Sequence, residues 1–286
     1  MTGAEARLAE ESVVRRRVRR YLLPALGLVG LAFWVVMIAV GPSVAQFDPN
    51  AVVLSDRLLP PSATHLFGTD SLGRDVLSRV LYGARLSLPT GVAVVLIGSM
   101  IGTSWGGIAA YAGGWIEEGM MRVTDVFLAF PALILAMAIA AALGIGVISA
   151  VGAMVVVWWP SYARLARSLV IVQRDQDYVL AARVLGYSPA RILVRHILPN
   201  ATGPLIVLMT LDVGNAILTF SGLSFLGLGV VPPTAEWGAM ISSGRLLITQ
   251  WWVATFPGFA IVSVVLAFNF LGDGIRDWLD PRARRR

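Results

Sequence analysis

Lysine is missing altogether: the 23 basic residues of this 286-residue chain are all arginine. Without lysine there is no Walker A phosphate clamp and no Schiff-base nucleophile, so the chain cannot itself be a P-loop ATPase. Cysteine is missing too, which excludes disulfides and thiolate chemistry and leaves the redox compartment unreadable. Charge is scarce, at 14% of residues against 57% hydrophobic, and the mean hydropathy is +0.75. A water-soluble globule is excluded on that balance, and the chain reads as a membrane protein. The net charge of +6 does not indicate nucleic acid, because the arginines cluster beside apolar runs, where membrane orientation accounts for them.

What the chain has instead is a series of apolar runs of membrane length. Residues 1 to 20 are polar and end in Arg15, Arg16, Arg17, Arg19 and Arg20, directly before an apolar run from Leu22 to about Ala45. Ser43-Val44-Ala45 would suit a signal peptidase. However, the run exceeds the roughly 7 to 15 residues of a signal core and its basic block lies late, so a retained first span is expected. Residues 47 to 85 are polar and rich in turn formers, including Pro49, Pro60 and Pro61, and read as an outer loop with some helix near its end. Within it Gly68, Asp70, Gly73 and Asp75 suit tight, capped turns, and Arg74 and Asp75 are expected to stabilise one another.

A second run, Leu86 to about Ala112, carries Gly98, Gly102 and Gly106 four apart, a stripe that lets another helix approach closely in lipid. Gly102 to Gly106 also satisfies G-x-S-x-G around Ser104, but a nucleophile elbow needs a strand-turn-helix and a histidine partner. Here the motif lies inside a continuous span, and the two histidines are His65 and His196. Glu117 and Glu118 mark a short inner turn before a third span, about Met120 to Leu143, in which Arg122 and Asp125 pair and Pro131 kinks the helix. The fourth span runs from Ile145 to about Ala163, with Pro160 near its inner end. The fifth, about Gly203 to Leu226, holds Asp212 and Asn215 near mid-membrane, where polar groups are costly unless they bond a neighbouring helix or line a path. After Pro232-Pro233, Thr234 is expected to cap a short outer helix containing Trp237 and Arg245. The sixth span, Trp251 to Leu271, has Trp251 and Trp252 as interfacial anchors and a bend at Pro257-Gly258.

Between the fourth and fifth spans stands a long polar interruption, DYVLAARVLGYSPARILVRHILPN, from Asp177 to Asn200. Asp177 is expected to cap a short helix through Leu185, and Gly186 to end it in the left-handed conformation. Ser188 then caps and Pro189 opens a second short helix, which Pro199 stops. Ala181, Ala182 and Gly186 leave a low ridge that a partner's groove can approach, ringed by Arg183, Arg191 and Arg195. A solvated connector is the plainer alternative. The spacing of Ala181-Ala182, three residues, Gly186 and then Leu198-Pro199 resembles the EAA signature of bacterial ABC import permeases, the cytoplasmic elbow that fits into the ATPase subunit. Leu180 stands where many members carry Glu, and His196 where the pattern has Ile. The segments GTDxxGRDxxSRxxYGxRxSL, SFLGLG, PPTAEWG and FNFLGDGIRDWLDPR resemble, more narrowly, the C-type permeases of the dipeptide, oligopeptide and nickel group. This likeness covers nearly everything after residue 47.

With both termini inside, eighteen arginines fall on inner segments and five outside, at Arg57, Arg74, Arg79, Arg85 and Arg245. The expected architecture is an all-α integral membrane protein of six transmembrane helices with both termini cytoplasmic. Its parts are a basic tail and first helix (1–46), an outer loop (47–85), a five-helix domain with the elbow at 177–200 (86–277), and a basic tail (278–286). The resemblance implies the ABC type I permease fold in the bacterial cytoplasmic membrane. It also implies as partners a second homologous permease, two ABC ATPase subunits and an extracytoplasmic substrate-binding protein. No cofactor or metal is expected on this chain, since ATP and Mg²⁺ belong to the partner subunits, and the chain would be non-catalytic. The coupling contact is expected at Tyr178, Ala181, Ala182, Arg183, Gly186 and Pro199, and the translocation path at Asp212, Asn215, Ser221 and Asp125. The cargo would be di- or oligopeptides, or else nickel or a related solute. Two rival classes are an intramembrane serine hydrolase, for which the fifth and sixth spans lack a histidine, and an ion-coupled secondary transporter using Asp212, Asn215 and Asp125.

Overall fold

Long apolar runs make helices wherever the backbone must satisfy its own hydrogen bonds in lipid. The computed structural model describes residues 22–279, so both arginine-rich tails beyond them, including Arg15 to Arg20, lie outside the described residues. Ten helices follow one another among the described residues: α1 (Leu23–Val44), α2 (Val76–Ala112), α3 (Gly114–Leu128), α4 (Ala132–Leu143), α5 (Val147–Arg174), α6 (Asp177–Val184), α7 (Pro189–Ile192), α8 (Leu198–Phe225), α9 (Trp237–Gly244) and α10 (Trp252–Leu279). No strand interrupts them; an isolated bridge joins Thr69 and Asp75. Among the described residues, five stretches are long and apolar enough to cross a membrane: α1, α2, α5, α10 and the run Pro189–Phe225 that contains α8. The pair α3 and α4 makes a sixth if its two arms count as one span.

That pair departs from the expected third span. Gly113, at φ +69°, turns the chain out of α2, and Glu117 and Glu118 lie inside α3 instead of forming a turn. Pro131 then makes a corner instead of a kink: α3 and α4 meet at 87°. Proline has no N–H to continue the ladder, and it pushes the residue before it away from helical geometry. Arg122 and Asp125 do not pair either. Asp125 is turned to α5, where Arg164 reaches its Oδ1 at 2.7 Å, and Arg122 reaches back one turn to Glu118 at 3.3 Å. A third pair, Arg167 with Glu117 at 2.7 Å, ties α5 to the first turn of α3. α5 itself continues past the expected end at Ala163 to Arg174.

α2 begins ten residues before the apolar run at Leu86, inside what reads as outer loop. Asp75 caps it, its Oδ2 accepting from Ser78 N–H at 2.8 Å. Asp75 Oδ1 also lies 2.9 Å from His65 Nδ1, so its partner is His65 and not Arg74. Arg74 Nε donates instead to Asp70 Oδ2 at 2.7 Å. The extra turns of α2 are buried by protein: Arg79 donates to the carbonyls of Pro49 and Pro233 at 2.7 and 3.3 Å. A helix of 37 residues is about 55 Å long, well beyond the roughly 30 Å of hydrocarbon.

Lower on α2, Gly98, Gly102 and Gly106 lie against α5. A Cβ at Gly102 would overlap the Trp159 carbonyl, and one at Gly106 the Ala163 carbonyl. The two backbones therefore touch directly. Around this pair the core is filled by Met154, Tyr162, Phe220, Trp237 and Val264. α1 clips on from outside, with Trp34 Nε1 donating to Ser263 Oγ at 3.0 Å. Trp252 was expected at the lipid interface but is buried, its Nε1 donating to the Thr69 carbonyl at 3.1 Å; Trp251 is exposed. The short helix α9 is capped by Glu236, not by Thr234, and Arg245 lies just past its end.

Candidate coupling elbow and membrane carboxylate

The elbow is built from two local rules. α6 starts from Gln176, whose backbone is extended, so Asp177 is the first helical residue and not the cap. At the other end Gly186 has φ +76°. Gly186 N–H donates to the Arg183 carbonyl at 2.9 Å and Tyr187 N–H to the Ala182 carbonyl at 3.2 Å, the paired closure of a Schellman turn. Ser188 is extended, as a residue before proline must be, and takes the cap position of α7 without a side-chain bond. From there the chain does not stop at Pro199. Residues Leu193–Ile197 form a wide π turn in which Leu198 N–H donates to the Leu193 carbonyl. Pro199 falls in the first turn of α8, so elbow and span are one continuous helical path.

The elbow has a back and a front. Val179, Ala182, Ile192 and Ile197 are buried against Ala110 and Val170, at the ends of α2 and α5. The front carries Val184 and Leu185, 88% and 71% exposed, with Leu180 beside them at 45%. Ala181 and Gly186 are exposed with that front, whereas Ala182 packs behind it. Arg183 lies over the Tyr111 ring at 5.7 Å and Arg191 over Tyr187 at 5.4 Å. Tyr178 donates to Gln173 Oε1 at 2.6 Å, tying α6 to the last turn of α5.

In the bundle, Tyr162 of α5 donates its hydroxyl to Asp212 Oδ2 at 2.9 Å, and Asn215 Nδ2 lies 3.5 Å from Asp212 Oδ1. Asp212 and Asn215 thus share a site, while the other two path candidates lie elsewhere. Asp125 lines a cleft of about 540 Å³ with Glu117, Glu118, Arg122, Arg164 and Arg167. Ser221 is buried, with its Oγ 3.4 Å from Glu236 Oε1. Sequence reasoning missed Tyr162 and Glu236. A hydroxyl two residues after Pro160 inside an apolar run was the available signal for the first; only the fold reveals the second. Glu236 receives the N–H groups of Gly238 and Ala239 at 2.9 and 2.8 Å and the hydroxyls of Ser87 and Ser221. Burial nevertheless pushes its carboxyl above the ordinary glutamate range, against the lowering effect of those N–H donors.

Residues 87–285 match the family model described as the binding-protein-dependent transport system inner membrane component. The chain is 46% identical over 262 residues to the probable D,D-dipeptide transport system permease protein DdpC of Escherichia coli K12, covering 91% of this chain and 88% of that one. It is 43% identical over 272 residues to the dipeptide transport system permease protein DppC of Bacillus subtilis 168, covering 94% and 85%. The glutathione transport system permease protein GsiD of Pectobacterium atrosepticum is 42% identical over 277 residues, covering 94% and 90%. Among solved structures, a chain of the MetNI methionine ABC transporter in an inward-facing conformation shares the fold, with a TM-score of 0.59 at 17% identity, over 71% of this chain and 96% of that one. This chain is therefore a multi-pass inner membrane protein with the type I ABC permease fold, and it belongs to the family of inner membrane components of binding-protein-dependent transport systems.

Proposed function

We propose that the chain is the non-catalytic permease subunit of an ATP-driven importer of di- or oligopeptides, and that the elbow is where ATPase movement enters it. The peptide cargo is supported by the dipeptide and glutathione names of relatives that align over nearly their whole length. The observation that carries the coupling role is the front of the elbow. Val184 and Leu185 stand in the open, while the same short helices bury Val179 and Ile192 behind them. A solvated connector gains nothing from two exposed branched apolar side chains, whereas a docking face does. In this reading both termini and the elbow are cytoplasmic, and ATP and Mg²⁺ are held by two ATPase subunits. A second homologous permease completes the path, and an extracytoplasmic binding protein delivers cargo. Closure of the ATPases displaces the elbow, and the continuous path through Leu193–Ile197 hands that displacement to α8.

The absence of cysteine makes the test clean, because a single Val184→Cys substitution has no background thiol. A membrane-impermeant maleimide is expected to label Val184→Cys in inside-out vesicles and not in right-side-out ones, and bound ATPase subunits to block labelling. Labelling from the outer face would overturn both the orientation and the coupling role. Import of radiolabelled dipeptide, compared with nickel uptake by the same complex, decides the cargo.

A further inference from the structure

α8 carries one acidic residue, Asp212, about 20 Å from either end of the helix at 1.5 Å per residue. An ionisable group at that depth is expensive unless it meets water or a partner. Its partners here are neutral, the Tyr162 hydroxyl and the Asn215 amide, and no ion pair among the described residues includes it. A carboxylate has about four acceptor positions, and these two donors use half of them.

The helix face matters as much as the charge. Val213, Gly214, Ala216, Ile217 and Phe220 are buried in the bundle. On the accessible side, Asp212 is half-buried, Asn215 is exposed and Thr219 is half-buried, three polar side chains at helical spacing along the middle of a mainly apolar span. Such a stripe cannot be lipid-facing, because hydrocarbon would strip the carboxylate of water with nothing in return. It faces a hydrated path or another protein. Tyr162, fully buried on α5, fixes where the carboxylate points.

We infer that Asp212 is the station that takes the cargo's ammonium group midway across the membrane, with Tyr162 as its positioning residue and the Asn215 amide available to the peptide carbonyl. The inference rests on the peptide-import reading. A peptide with a free amino terminus brings the positive charge that no ion pair among the described residues supplies to Asp212. The two donors already on the carboxylate spread its charge, so the pair can form and still release, as conduction through a membrane requires.

The test uses the complete transporter, with its ATPases and binding protein, in proteoliposomes. Initial import rates are compared for alanyl-alanine and N-acetyl-alanyl-alanine, each at a concentration that saturates the binding protein. The unmodified complex is expected to favour the free amine by about tenfold or more, since a site built to pair a cargo's polar group rejects the analogue that lacks it. Asp212→Asn should bring that ratio to about one, Asp212→Glu should keep most of it, and Tyr162→Phe should lower it only partly. An Asp212→Asn ratio equal to that of the unmodified complex, whatever the absolute rates, overturns the inference. That is the outcome if Asp212 only bonds a neighbouring helix or pairs with an arginine of the second permease. A ratio near one in the unmodified complex overturns it too. Import of neither peptide by that complex would instead remove the peptide reading on which it stands.

Discussion

Enlarging Gly186 separates a docking face from a mere bend. Its φ of +76° lies where an ordinary L-residue costs about 1–2 kcal/mol, a factor of roughly 5 to 30 in the population of the closed elbow. A Cβ placed there meets no atom within 4 Å, so the position opens onto the exposed front of the elbow. Gly186→Ala thus adds strain without bulk, Gly186→Asn little strain because asparagine tolerates this conformation, and Gly186→Trp adds strain plus a ring on the exposed front. Tagged chains would be co-purified with the ATPase subunits in mild detergent, and their level in the membrane fraction measured alongside. We expect Gly186→Asn near the unmodified level, Gly186→Ala reduced by no more than the strain factor, and Gly186→Trp without ATPase, all three inserted equally. ATPase retained by Gly186→Trp at normal stoichiometry would refute the assignment. Equal loss in Gly186→Ala and Gly186→Trp would show that the turn matters and the surface does not.

Other substitutions test the bundle beneath. Gly102→Leu drives a side chain into the Trp159 carbonyl and should cost at least the 1–3 kcal/mol typical of overpacking, read as loss of the monodisperse species in detergent. Asp125→Asn removes a bridge to Arg164 whose side chains are 55% and 60% exposed, so the change in stability should stay under about 1 kcal/mol; a larger drop in melting temperature would mean the cleft is a structural clamp. Glu236 gives a pH dependence. Because burial raises its carboxyl, the folded chain holds that proton more firmly than the unfolded one, and stability falls as pH rises above the ordinary glutamate value of about 4.3. Glu236→Gln should flatten that part of the melting-temperature profile; parallel profiles for the two proteins would contradict the sign.

The spans and the glycine at the elbow were legible because they depend on local facts: apolar length, and a residue free to take positive φ. The corner at Pro131 was half legible, since proline marks the break but its 87° angle comes from packing. The start of α2 was hidden because Ser78, Arg79 and Arg85 look solvated in sequence, while Arg79 is buried under Pro49 and Pro233. Ion pairing was misread for the same reason: Arg122 and Asp125 are neighbours on α3, yet α5 brings Arg164 and Arg167 to that helix. The Tyr162–Asp212 bond joins residues fifty apart and needed the fold to appear. Pro199 misled because a stop signal and a first-turn residue look alike until the π turn before it is known.

That π turn also sets an angle. Each residue of an α-helix advances the path by about 100°, and the wider loop at Leu193–Ile197 inserts a phase step between the elbow and everything after it. Deleting the exposed Thr202, just beyond it in the α-helical part of α8, would shorten the rod by only about 1.5 Å but swing its far half by more than a quarter turn. Asp212 would then point away from Tyr162 while the docking front stayed where it was. If the elbow is the proposed docking face, a chain so altered would bind its motor and turn no wheel.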